Sequence, residues 1–151
     1  MSETAVSLLR HPEYCVYASA TTSTTRNIEK LETMFNKVSL KERQKIKTET
    51  LVNVDGISMS ESLKQEQSDG SDAVSEYIVV TIIASLGGKI KLGEKGKIED
   101  TQTLCESLKR IGMVRMEDVY AVEVIWTPQE ETDTLTTEEI LSDFPELSPI
   151  L

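Results

Sequence analysis

Few residues in this chain could do chemistry, and they are widely spaced. His11 is the sole histidine, so a Ser-His-Asp triad would have to be assembled around it. It precedes Pro12 at the end of a helix-like stretch, between the charged Arg10 and Glu13. A histidine at the carbonyl end of a helix dipole reads as structural. Glu123 is more provocative, because it interrupts the apolar run Val119–Trp126. A carboxylate buried there would be costly unless paired, and an unpaired one can acquire a raised pKa and act as a base. The alternative is that Glu123 meets a cation such as Arg10, Lys109 or Arg110, or faces solvent. Trp126, the only tryptophan, stands beside Thr127-Pro128, where it either stacks on a ligand or fills a rim position. Cys15 and Cys105 lie far apart in sequence, with no C-x-x-C and no accompanying histidines. They give neither a metal signature nor a disulfide framework, and both read as small hydrophobes. There is no nucleophile elbow and no carboxylate pair with a supporting histidine. The loop from Gly87 to Lys97 carries Gly87, Gly88, Gly93 and Gly96 among lysines. It lacks both the Gly-Lys-Ser/Thr ending of a P-loop and the G-x-G-x-x-G spacing. No catalytic residue, cofactor or metal is expected.

The elements that position these residues are legible as patterns. Ser2 or Thr4 can cap a helix carrying Ala5, Val6, Leu8 and Leu9, and Pro12 stops it. Glu13–Ala20 alternates as a strand with one face buried, and its Thr21–Thr25 end reads as an edge or turn. Ile28, Leu31, Phe35 and Val38 make one stripe of an amphipathic helix over 26–37. Ser39-Leu40-Lys41-Glu42 then reads as a capping box opening a second helix to about Leu51, the two forming an angled hairpin closed by Asn53-Val54-Asp55-Gly56. The serine-rich stretch 58–75 reads as a mobile loop. Glu76–Leu86 is a second strand. Asp100 or Thr101 caps a helix to Ile111, with Gly112 suited to a left-handed terminus. Val119–Trp126 is a third strand, apolar enough to be covered on both faces. Thr136-Thr137-Glu138-Glu139 is a second capping box, with Leu135 and Ile140 as its hydrophobic staple. The closing Leu147, Pro149, Ile150 and Leu151 are apolar enough to dock.

The order helix-strand-helix-helix-strand-helix-strand-helix predicts an α+β fold. Its small three-stranded mixed sheet would be packed by helices mainly on one face. Strands two and three should form a right-handed parallel β-α-β unit, with the first strand added antiparallel. At 151 residues the chain suits one domain spanning 1–151 with a core of useful size.

A formal net charge of −10 argues against nucleic acid, whose phosphates need clustered Lys and Arg. Between Glu130 and Glu146 there are seven acidic residues and no basic one. That stretch is either a solvated face or a docking surface for a basic partner. The longest apolar run, Tyr77–Leu86, is far short of the roughly 20 residues a membrane span needs. The chain as given is therefore expected to be soluble, with no direct membrane insertion.

Four segments in register carry a resemblance: Leu8–Tyr14, Glu49–Gly56, Glu76–Thr81 and Ala121–Gln129, the last followed by Asp133-Thr134-Leu135. Together they resemble the domain-of-unknown-function family 1517 of cyanobacteria and chloroplasts. The resemblance implies a membrane-associated photosynthetic protein with a hydrophobic segment ahead of this domain. It also implies a link to plastid proton balance and photoprotective quenching, and it brings no catalytic residue. The 58–75 and 87–97 loops and the lack of a membrane segment depart from that pattern. The expected function is a non-enzymatic regulatory or protein-interaction domain, a transporter subunit being one partner of the right kind. Its candidate contacts are His11, Glu123, Trp126, Thr127, Pro128, Gln129, Glu130, Glu131 and Asp133. The alternative is a small-molecule, pH or ion sensor using a pocket near Trp126, Glu123 and the Gly87–Gly96 loop.

Overall fold

The computed structural model describes residues 1–46, 76–93, 97–129 and 133–151. The expected Asn53–Gly56 turn, the serine-rich loop, the tip of the Gly/Lys-rich loop and Glu130 and Glu131 lie outside the described residues.

Helix α1 (Ser2–Arg10) starts with Met1 as its cap and uses neither Ser2 nor Thr4 for that purpose. The Ser2 hydroxyl instead donates to the Gly112 carbonyl at 3.3 Å, tying the start of α1 to the end of α3 (Thr101–Gly112). Asp100 caps α3, its carboxylate accepting from the Thr103 amide at 2.6 Å. Gly112 is the last helical residue and not a left-handed terminus. A Cβ added there would lie 3.9 Å from that of Ala5, so α1 and α3 meet through small side chains. Ala5, Ala18, Ile98, Leu104 and Leu108 form the core around this contact.

The expected strand Glu13–Ala20 is mostly a short 3-10 turn (Pro12–Tyr14) followed by the two-residue β1 (Tyr17–Ala18). It does not join the main sheet. Its partner is β4 (Ser148–Pro149), paired antiparallel as Tyr17 with Pro149 and Ala18 with Ser148. The Ile150 amide extends the contact to the Val16 carbonyl at 2.9 Å. Proline is compatible with such an edge because no ladder donor is required of it.

Helix α2 covers 28–46 without a break, which corrects the expected angled hairpin of two helices. Its cap is Asn27, whose side chain accepts from the Lys30 amide at 3.1 Å. Ser39, read from the sequence as the cap of a second helix, sits inside α2, where every amide already has a helical acceptor. Its hydroxyl is free to turn outward from the helix.

The main sheet is a two-stranded antiparallel pair, β2 (Val79–Leu86) with β3 (Val119–Thr127), and not a parallel β-α-β unit. The register sets Ile83 opposite Glu123, Val80 opposite Trp126 and Thr81 opposite Ile125, with an irregularity at Ser85/Leu86. Topology follows from how the long connection closes. After α3 a short 3-10 turn (Met116–Asp118) brings the chain back to where it left the sheet, and the Gly87 amide donates to the Asp118 carbonyl at 2.7 Å. The chain therefore re-enters beside the end of β2 and must run antiparallel to it. Helix α3 packs on α1 instead of bridging the sheet.

Helix α4 (Thr137–Asp143) follows the expected pattern. The Thr136 hydroxyl accepts from the Glu139 amide at 3.2 Å, and Leu135 and Ile140 are both buried. They join Val79 and Phe144 in a second core cluster. Tyr77 and Leu135 exchange backbone hydrogen bonds of 2.8 and 2.7 Å, seating this cluster at the end of the hairpin. Tyr17 and Tyr77 meet edge to face, ring centroids 5.6 Å apart.

Candidate functional site

The two strands divide their side chains by parity, since successive residues point to opposite faces. On one face stand Val79, Thr81, Ile83 and Ser85 with Ala121, Glu123, Ile125 and Thr127; several of these are buried. On the other stand Val80, Ile82, Tyr120, Val122, Val124 and Trp126. There Tyr120 is 64%, Val122 42% and Trp126 47% exposed. The continuous apolar pattern of β3 led to an expectation of cover on both faces, but this second face is covered only in part: Val80, Ile82 and Val124 are half-buried, while Tyr120, Val122 and Trp126 are exposed.

Helix α2 covers that face, and Glu123 marks the contact. Its carboxylate accepts from the Arg43 Nε at 2.6 Å and from the Ser39 hydroxyl. The Arg43 guanidinium first, and then the Ser39 hydroxyl, hold the Glu123 carboxyl below its usual range, against a smaller upward push from burial. Glu123 is thus paired, with α2 as the source of the cation in place of Arg10, Lys109 or Arg110. A carboxylate held low in this way is ionised at neutral pH and is a poor base.

Lower on α2, Lys45 is only 13% exposed and pairs with Glu42 and Glu146, each at 3.1 Å. Its ammonium also lies 4.1 Å from the Phe144 ring centroid, a cation–π arrangement. The acidic C-terminal stretch therefore sends Glu146 to α2. The Gly/Lys-rich loop turns instead to α3: the Gly93 amide donates to the Ser107 hydroxyl at 3.0 Å, and Arg110 donates to the Lys91 carbonyl at 2.8 Å.

The candidate contact residues do not form one cluster. Glu123 and Trp126 point to opposite faces of β3. Thr127 and Pro128 are buried, Gln129 is exposed and Asp133 half-buried. His11 is exposed near the end of α1, where its Nδ1 lies 3.3 Å from Glu13 and its ring 5.5 Å from that of Tyr14. The residues that sequence reasoning missed, Ser39 and Arg43, are four apart on α2. That spacing puts them on one helical face, and Glu123 was the only signal that such a pair was needed.

A cavity of about 840 Å³ lies among α2, α3, β1 and the edge of β2 away from β3. Leu31, Met34 and Phe35 of α2 form one wall, Leu104 and Leu108 of α3 another, and Ile83 and Ser85 of β2 a third. Among the described residues no group of three or more potential metal ligands occurs. No helix among them is long and apolar enough to cross a membrane.

Residues 1–150 match the family described as "Protein of unknown function (DUF1517)". The chain is 41% identical over 150 residues to the FLUCTUATING-LIGHT-ACCLIMATION protein 1, chloroplastic, of Arabidopsis thaliana, covering 99% of this chain and 37% of that protein. It is 40% identical over 152 residues to Protein FLAP1 homolog A of Synechocystis, covering 97% of this chain and 44% of that one. The chain thus spans well under half the length of these curated relatives. No solved structure matches it. With the family pattern running through nearly every residue and relatives of this identity in a plant plastid and a cyanobacterium, the chain belongs to the DUF1517 family.

Proposed function

We propose that this chain is a non-enzymatic regulatory domain that acts in fluctuating-light acclimation by binding a protein partner. The observation that carries the reading is the open face of the hairpin. Tyr120, Val122 and Trp126 are all exposed on one side of β3, and contiguous exposed apolar side chains of this kind mark interaction surfaces. Aromatic residues, Tyr and Trp above all, are the usual anchors of such contacts. The names of the two relatives supply the photosynthetic setting. The partner is a protein of the photosynthetic membrane, a transporter subunit being the kind that would connect this domain to proton balance and photoprotective quenching.

The test places a photoreactive amino acid at Tyr120 in the full-length protein within its native membranes. One defined protein adduct, abolished by Val122→Asp and retained in an exposed α4 variant such as Leu141→Ser, supports the reading. Absence of a protein adduct, or one indifferent to Val122→Asp, contradicts it. A pH-sensing role is less well supported at Glu123, because Arg43 and Ser39 move its titration away from neutrality.

A further inference from the structure

The 840 Å³ cavity does more than separate the helices from the hairpin. Its size falls in the upper part of the range of about 300–1,000 Å³ typical of small-molecule sites. At about 30 Å³ per heavy atom, the share of a water molecule in the liquid, it has room for roughly 28 heavy atoms. Most of the lining is aliphatic or aromatic, and water alone would gain few partners there.

Two polar features narrow the occupant. Ser85 is only 5% exposed and lines the cavity. Among the described residues its hydroxyl has no hydrogen-bond partner, unlike that of Ser107, which accepts from Gly93. A buried hydroxyl left without a partner costs about 1–3 kcal/mol, and a ligand group that met it would recover that cost. The second feature is charge. Among the described residues no lysine or arginine lines the cavity, whereas Glu42, Glu76 and Glu146 do. Glu42 and Glu146 are engaged by Lys45, and Glu76 is exposed. His11, also in the lining, is paired with Glu13. Among the described residues a carboxylate or phosphate ligand would find carboxylates and no lysine or arginine.

We infer that this cavity is a binding site for an uncharged amphiphile whose apolar body lies between α2 and α3 and whose single hydroxyl or carbonyl group meets Ser85. The cavity reaches round the edge of β2, since Val80, Ile82 and Trp126 also line it; Ser85, which marks the proposed site, lies on the face that Ile83 and Ile125 share. A sensor of a neutral lipid-like molecule would couple occupancy to the seating of α2 on the hairpin.

The test uses 1-tetradecanol and its anionic counterpart tetradecanoate, delivered from cyclodextrin at pH 8 to the intact chain. Binding is read by native mass spectrometry and by the shift in melting temperature. Expected is one saturable equivalent of the alcohol that raises the melting temperature, with tetradecanoate at least tenfold weaker. Ser85→Ala should weaken the alcohol about tenfold, the loss of one buried hydrogen bond. Met34→Trp, which fills the α2 wall, should abolish binding while leaving far-UV circular dichroism unchanged. No saturable binding of the alcohol, equal binding of the carboxylate, or an unchanged affinity in Ser85→Ala would overturn the inference. If Met34→Trp fails to fold, the Ser85→Ala comparison alone decides.

Discussion

Replacing Ser39 by alanine removes a hydroxyl from the polar contact that Ser39 and Arg43 of α2 make with Glu123 on the covered face of the hairpin. Ser39 is 6% exposed, whereas the side chains of Glu123 and Arg43 are 19% and 61% exposed. Arg43 is the larger influence on the Glu123 carboxyl, yet its guanidinium is mostly in water, where such pairs contribute about 0–1 kcal/mol. The Ser39 bond is shielded, and a hydrogen bond to a charged group is worth about 1.5–3 kcal/mol. Ser39→Ala is therefore expected to destabilise the chain by roughly 2 kcal/mol and Arg43→Ala by less than about 1 kcal/mol. The assay is urea unfolding followed by the fluorescence of Trp126. A double-mutant cycle with Glu123→Gln then isolates each coupling. The pH dependence has a definite sign. The folded Glu123 carboxyl titrates below its unfolded value of about 4.3, so its contribution is present above that pH. It is lost as pH falls through the lower, folded value. Zero coupling between Ser39 and Glu123, or an acid limb that is unchanged in Glu123→Gln, would refute the reasoning.

Other consequences are more local. Gly93 has φ +69°, and a Cβ there would lie 2.3 Å from the Lys97 carbonyl oxygen, so Gly93→Ala should cost about 1–3 kcal/mol, measurable as a lowered urea midpoint. Ile140, 2% exposed in the second core cluster, should cost about 2–5 kcal/mol on truncation to alanine. Thr136→Ala removes the α4 cap and should cost about 1 kcal/mol, whereas Thr136→Asp should restore most of it. Both comparisons are read from thermal unfolding.

Local signals and long-range ones differed in what they disclosed. The α4 cap and staple could be read because every participant lies within six residues. The end of α1 and the start of α3 were legible for the same reason, through Pro12 and Asp100, whereas the start of α1 at Met1 and the end of α3 at Gly112 were not. Pairing of the strands was not. An apolar strand, a helix and another apolar strand describe a parallel crossover equally well, and the bond from Gly87 to Asp118 that forces reversal has no sequence signature. Ser39-Leu40-Lys41-Glu42 satisfied the capping-box pattern, but that pattern cannot tell a helix start from a helix interior whose serine is needed elsewhere. The partner of Glu123 could be named only as a cation, because Arg43 lies 80 residues away. The open face was hidden by composition: Val122, Val124 and Trp126 look alike whether a strand is covered on one side or both. Glu130 and Glu131, given a docking role on charge alone, lie outside the described residues.

The proposed docking role rests on a hairpin with one face held against α2 through Glu123 and the other exposing Tyr120, Val122 and Trp126. Paramagnetic relaxation from a neutral soluble probe, measured on side-chain resonances of the isolated chain, tests this directly. Strong enhancement at Tyr120, Val122 and Trp126 together with protection of Ile83 and Ile125 is the predicted result. Equal protection on both sides of β3, or enhancement at Ile83, would contradict it.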